Sequence, residues 1–174
     1  MFGKKTAFLS FATMKKQLAF LLLGGNLGDR KSNLEKAALL IEKKIGPVTA
    51  KSALYETRPW GKTDQPDFLN QVLVLKTEQN PELILKSALS IEQEMGRVRI
   101  EKWGARLIDI DLVYVETQIL NSKNLILPHP GIAQRRFVLE PLAEIAPDFI
   151  HPILKKSHRQ LLNECEDPLP VNKI

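Results

Sequence analysis

Apolar residues run unbroken from Leu18 to Leu23 and stop at Gly24–Gly25. A short run of that kind predicts a central strand buried on both faces. A helix is expected next. Asp29 is placed to cap it, Leu34, Ala38, Ile41 and Ile45 recur at helical spacing, Lys43 and Lys44 suit its C-terminal end, and Gly46–Pro47 stops it. Val48 to Thr57 and Phe68 to Thr77 read as two β-segments joined by a turn-rich loop over residues 58–67. A loop that long inside a compact domain points to function. Asn80–Pro81 opens a second helix with a buried stripe of Ile84, Ala88, Ile91 and Met95, ended by Gly96.

After a basic loop over residues 97–106 the pattern returns to strand at Leu107 to Val115, and Gln118 to Leu127 is expected to pair with it as a hairpin. Pro128-His129-Pro130 breaks that strand. Arg136 to Ile145 has helical spacing, with Pro141 expected to bend or delay the helix and Pro147 to end it. The tail from His151 is polar and carries no assigned element. The order β-α-β-β-α-β is the split βαβ arrangement and predicts an α+β, ferredoxin-like, three-layer αβα fold with a mainly antiparallel sheet.

Composition narrows the class. With 174 residues, 44% of them hydrophobic, the chain is long enough for a real core, and residues 14–174 are expected to form one domain. Met14 reads as an alternative start, with residues 1–13 a disordered extension. The single cysteine, Cys165, lies between Glu164 and Glu166, which excludes a disulfide scaffold, disfavours a reactive thiolate and suits a cytoplasmic setting. No apolar run approaches the roughly 18 residues of a membrane span. A net charge of +5 suits an acidic substrate such as a nucleotide but is modest for a duplex-DNA binder.

Candidate chemistry concentrates between residues 97 and 111. Asp109 and Asp111 are two apart on a strand and so share one face, opposite Ile108, Ile110 and Leu112. Ionised side by side, the two would repel by ~2–3 kcal/mol at an effective dielectric of about 20. A divalent cation reverses that sign, and Mg²⁺ takes one or two carboxylates while completing its shell with water and phosphate oxygens. Arg97, Arg99, Lys102 and Arg106 directly precede the pair, and His129 and Arg135 follow. Cations beside a metal site point to phosphates. A second group, Trp60, Phe68, Asn70, Trp103 and Phe137, suits a flat heterocycle, with aromatic faces to stack and an amide for the ring edge. The loop Gly24-Gly25-Asn26-Leu27-Gly28-Asp29 fails both phosphate-binding fingerprints. Asn26 stands where the dinucleotide pattern needs Gly and Arg30 where the P-loop does, which leaves a tight βα turn.

Several ordered motifs between Leu18 and Pro147 resemble the 6-hydroxymethyl-7,8-dihydropterin pyrophosphokinase family: residues 25–30, Tyr55-Glu56-Thr57, residues 64–70, Gly96-Arg97-Val98-Arg99, residues 102–113, Pro128-His129-Pro130 and residues 135–139. The resemblance implies transfer of the β,γ-diphosphate of ATP to the pterin hydroxymethyl oxygen, with release of AMP and two Mg²⁺ ions. It implies Asp109 and Asp111 as metal ligands. Arg97, Arg99, Lys102, Arg106, His129 and Arg135 fall at phosphate or nucleotide contacts, with Glu92 facing the nucleotide site. Thr57, Trp60, Phe68, Asn70, Trp103 and Phe137 fall in the pterin pocket. Lys102 stands where many members carry Arg, exchanging a bidentate contact for a point charge. Trp60 occupies a position that is often aliphatic. The partners implied are ATP and the pterin acting on a monomer, with no nucleic acid and no membrane. Two other classes compete: an RNA-binding ferredoxin-like module, which the carboxylate pair argues against, and a P-loop kinase using Lys31–Ser32, which would release ADP.

Overall fold

The computed structural model describes residues 16–60, 63–97 and 104–174. The expected N-terminal extension lies outside these residues, as do Arg99, Lys102 and Trp103. Strand β1 (Gln17–Gly25) is central and leads into helix α1 (Arg30–Lys44). Asp29 caps α1 by accepting a bond from the Ser32 N–H at 3.0 Å. Then come β2 (Val48–Lys51), β3 (Tyr55–Thr57), β4 (Phe68–Thr77), α2 (Pro81–Glu94) and β5 (Asp109–Val115). Asn80 caps α2 through the Leu83 N–H, with Pro81 at the first helical position. Short strands β6 (Leu120–Asn121) and β7 (Ile126–Leu127) and a 3-10 turn at Ile132–Gln134 precede α3 (Arg136–Ile145), α4 (His158–Glu164) and β8 (Val171–Lys173).

The main sheet runs β5-β1-β4-β3-β8, with β2 also on β4, and every pairing is antiparallel. Alternation along the strands gives each face its own core. Leu21, Leu23, Leu73, Leu75, Ile110 and Leu112 face α1 and α2. Phe20, Leu22, Val72, Val74 and Val113 face the other way, onto Val138, Leu139 and Leu142 of α3 and Leu161 of α4. Three layers result, as the element order implies. No helix among the described residues is long and apolar enough to cross a membrane.

Three sequence expectations are corrected. The segment 118–127 does not pair with β5. It folds back on itself, with β6 on β7, because Ser122 closes a tight turn by bonding Leu125 through both its N–H and its hydroxyl. Val48 to Thr57 is two strands, not one. Ser52 interrupts them, its N–H and hydroxyl bonding Val72 in place of a regular ladder. Pro141 does not delay α3, which begins at Arg136 and carries the proline inside it. The tail also holds more structure than its polarity suggests, with Ser157 and Gln160 forming a reciprocal capping box at the start of α4.

His158 lies fully buried in the α3/α4 core, stacked on Phe149 at 5.1 Å. Its Nδ1–H donates to the Ala146 carbonyl at 2.7 Å, which leaves Nε2 to accept from the Tyr114 hydroxyl at 3.3 Å. Burial lowers its pKa to about 4. A histidine held neutral in the folded state contributes stability that is full above its unfolded pKa and is lost as pH falls through the folded one. Stability should therefore decline between about pH 6.5 and 4, by roughly 3 kcal/mol from this residue. His151, whose pKa burial also lowers, adds a decline of the same sign. Denaturant titrations across that window should show a smaller decline in His158→Gln than in wild type. An equal decline would remove His158 from the account.

Candidate active site

Register across the sheet builds the floor of the site. Gly24 on β1 pairs with Asn70 on β4 and with Asp109 on β5, and one step below it Leu22 pairs with Val72 and Asp111. Directly paired residues on neighbouring strands share a face. The same face that is apolar at Phe20, Val72 and Val113 thus becomes polar toward the C-terminal end of β1. Gly24 sits in the middle of that row because a Cβ there would stand 2.9 Å from Asn70 Oδ1. Thr57 pairs with Phe68 on the next strand, and Asn70 Nδ2 donates to Thr57 Oγ1 at 2.9 Å.

A cavity of about 280 Å³ opens over this floor. It brings together Thr57, Trp60, Phe68, Asn70 and Phe137 on one side and Arg106, Asp109, Asp111, His129 and Arg135 on the other. Phe137 packs against the α3/α4 core as well, so it serves both. Arg106 lies over the Phe68 ring at 5.2 Å and Arg135 over the Trp60 ring at 4.8 Å, contacts that join the two halves. A second hollow of about 320 Å³ shares Asp109, Asp111 and His129 and extends over Leu85, Leu89, Glu92, Leu125 and Ile126.

Behind the cavity the charges are interlocked. Asp109 receives Arg97 Nη1 on one oxygen at 2.5 Å and Arg106 Nη1 on the other at 2.8 Å. Arg97 also ion-pairs with Glu92, whose Oε1 accepts the Ile110 N–H at 2.8 Å. Burial opposes the charge of Arg97, but Asp109 and Glu92 outweigh it and raise its pKa. Burial raises Glu92 against the Ile110 hydrogen bond and the charge of Arg97, with a smaller push from Asp109 in the same direction. Desolvation, then Asp109 and Glu92, lifts the Asp111 carboxyl to about 7 against the pull of Arg106 and Arg135. Burial and Arg135 lower His129, whose Nδ1 accepts the Gly131 N–H at 3.2 Å and so leaves the proton on Nε2.

The donor set fits a hard divalent cation that keeps part of its shell for substrate. Among the described residues no group of three or more His, Cys, Asp or Glu could hold a metal; the carboxylates at hand are Asp111 and Asp109, whose two oxygens each meet an arginine. The buried side-chain nitrogen or oxygen with no hydrogen-bond partner among the described residues is Arg106 Nε, a donor beside the cavity.

Sequence reasoning missed two residues here. Arg58 lines the cavity. Asn26 is a bracket: its Oδ1 accepts the Arg106 N–H at 2.8 Å, while Nδ2 donates to the Pro66 carbonyl at 3.0 Å and to Gln65 Oε1 at 3.2 Å. The glycine turn therefore holds both site loops. Gly25 allows the approach, since a Cβ there would lie 2.4 Å from the Leu107 carbonyl oxygen. No local signal marks Asn26 in the sequence, because its burial and bonding depend on residues 65, 66 and 106.

Comparisons with known proteins place the chain in a family and a fold. Residues 20–147 match the family model described as 7,8-dihydro-6-hydroxymethylpterin-pyrophosphokinase. A 2-amino-4-hydroxy-6-hydroxymethyldihydropteridine pyrophosphokinase of Methylorubrum extorquens is 46% identical, over 76% of this chain and 84% of that protein. Its counterpart in Bacillus subtilis is 43% identical over 74% of this chain and 77% of that protein. A folic acid synthesis protein of Schizosaccharomyces pombe is 39% identical over 94% of this chain, which spans only 22% of that protein's length. The HPPK-DHPS structure of Plasmodium falciparum, at 20% identity, shares the fold with a TM-score of 0.73 over 86% of this chain and 44% of that one. With about three quarters of its length matched by the family model and by bacterial relatives 43% and 46% identical, the chain belongs to the 7,8-dihydro-6-hydroxymethylpterin-pyrophosphokinase family.

Proposed function

We propose that the protein transfers the diphosphate of ATP to the hydroxymethyl oxygen of 6-hydroxymethyl-7,8-dihydropterin, giving AMP and the pterin diphosphate. By family it is a pyrophosphokinase of folate biosynthesis. The observation that carries the fuller reading is the row Asn70–Gly24–Asp109, which sets an amide and aromatic pocket two strand spacings from the carboxylates, across β1. The hydroxyl oxygen bonds the β-phosphorus as the bond from that phosphorus to the bridging oxygen of AMP breaks, and the hydroxyl proton leaves. No covalent enzyme intermediate is needed, so positioning and charge stabilisation do the work.

In this reading Phe68, Trp60 and Phe137 stack on the pterin while Asn70, held by Thr57, meets its edge. Arg106, Arg135 and His129 face the phosphates, and the unpaired Nε of Arg106 favours an anion there. Asp109 and Asp111 would hold two Mg²⁺ ions, which supply charge neutralisation and polarisation of the diphosphate when bound. Arg97 and Glu92 fix Asp109 and the start of β5 from behind. The second hollow, apolar at Leu85, Leu89 and Ile126, suits the adenine end of ATP. Arg99, Lys102 and Trp103 are proposed as further phosphate and pterin contacts from the sequence resemblance. A cytoplasmic monomer is part of this proposal.

Replacing Asp109 or Asp111 with Asn should keep the fold and lower kcat by at least ~10²-fold, the scale of losing one transition-state electrostatic contact. Near-wild-type turnover in either variant would refute the metal assignment. Phe68→Ala should instead raise the KM for the pterin about 10-fold or more with little change for ATP. A selective loss of ATP affinity would place the pocket elsewhere.

A further inference from the structure

The family model ends at residue 147, but the chain beyond it comes back to both walls of the cavity. After α4 it passes the first turn of α3. Arg135 stands at the N-cap of α3 and makes no side-chain cap bond of its own. Asp167 supplies the cap from another part of the chain: its Oδ2 accepts the Arg136 N–H at 3.0 Å. Its Oδ1 accepts the Leu169 N–H at 3.1 Å, which fixes the carboxylate. The Arg136 side chain closes the junction, donating from Nε to the Asp167 carbonyl at 3.2 Å and from Nη2 to the Cys165 carbonyl at 3.0 Å. The two neighbours of Arg136 are Arg135 and Phe137, both in the cavity wall.

The tail then reaches the opposite wall. β8 pairs with β3 so that Val171 lies against Thr57. Lys173 Nζ meets Glu144 Oε1 at 2.7 Å, and Glu144 Oε2 accepts the Ala53 N–H at 2.9 Å and the Tyr55 hydroxyl at 3.0 Å. α3 is therefore tied at its first turn by Asp167 and near its end, through Glu144, to β3 and β8.

We propose that Asp167 is a positioning residue for diphosphoryl transfer: by capping α3 from the C-terminal strap it sets where Arg135 and Phe137 stand relative to Asp109 and Asp111. The inference rests on the pyrophosphokinase reading, and wild-type turnover tests that reading separately, because the inference is read from ratios between variants. Asp167→Ala should lower kcat/KM on the order of 10-fold, as expected when a contact group is displaced by a fraction of an ångström. Asp167→Asn, which keeps an oxygen for the Arg136 N–H, should restore it to within about 3-fold of wild type. Ser157→Ala destabilises the same tail by removing the α4 capping box and should stay within about 2-fold of wild type. In an Arg135→Ala background the Asp167→Ala effect should shrink to about 3-fold or less, the part left being what displacement of Phe137 alone costs. If Asp167→Ala does not fold, Asp167→Ser carries the same cycle, because it keeps a polar side chain at the junction while shortening the reach to the Arg136 N–H. Equal losses in Asp167→Ala and Ser157→Ala, or an undiminished effect in the Arg135→Ala background, would overturn the proposal.

Discussion

Two carboxylates on one face of β5 are the constraint around which the rest of the site is arranged. Like charges at that spacing are unfavourable unless cations compensate them, and part-desolvated ones more so. The fold meets Asp109 with Arg97 and Arg106, and leaves Asp111 with a carboxyl raised to about 7 beside them. Such an arrangement has little value as a structural element, because a packed apolar strand end would be more stable. In the proposed function it is the place where further positive charge would arrive together with phosphate.

The rest of the molecule keeps that charge cluster in place without hydrating it away. One sheet face is apolar throughout and packs on α1 and α2. The other is apolar only as far as Phe20, Val72 and Val113, and beyond that point it becomes the site floor. Gly24 at the centre of the row keeps the floor low enough for a flat ligand to reach from Asn70 toward Asp109. The loops above are tied down at a few points. Asn26 holds the segment at Pro66 and Arg106, Arg30 bonds the Asp67 carbonyl at 2.9 Å and pairs with Glu56 at 2.7 Å, and the C-terminal strap holds α3 and β3.

Much of this was legible because periodicity reports burial directly. The run Leu18 to Leu23, the stripes on α1 and α2 and the alternation from Ile108 to Leu112 each carry their own structural consequence, and the element order leaves few topologies. The carboxylate pair was readable for the same reason, since a spacing of two fixes a shared face. What stayed hidden depends on partners distant in sequence. Nothing in Gln118 to Leu127 says whether it pairs with β5 or with itself, because its residue pattern fits either partner. Asn26 reads as a turn residue until its three partners, from residues 65, 66 and 106, are seen together. Asp167 in a polar, proline-containing tail gives no local signal at all, since the helix it caps begins thirty-one residues earlier in the chain.

The central claim, that this charge cluster and the adjoining aromatic pocket serve diphosphoryl rather than phosphoryl transfer, is tested most directly by product identity. The protein is incubated with ATP, Mg²⁺ and 6-hydroxymethyl-7,8-dihydropterin, and the nucleotides and pterins are separated by chromatography. The account predicts AMP formed one for one with the pterin diphosphate and abolished by chelating the metal. ADP as the product, or no turnover by the folded protein, would contradict it.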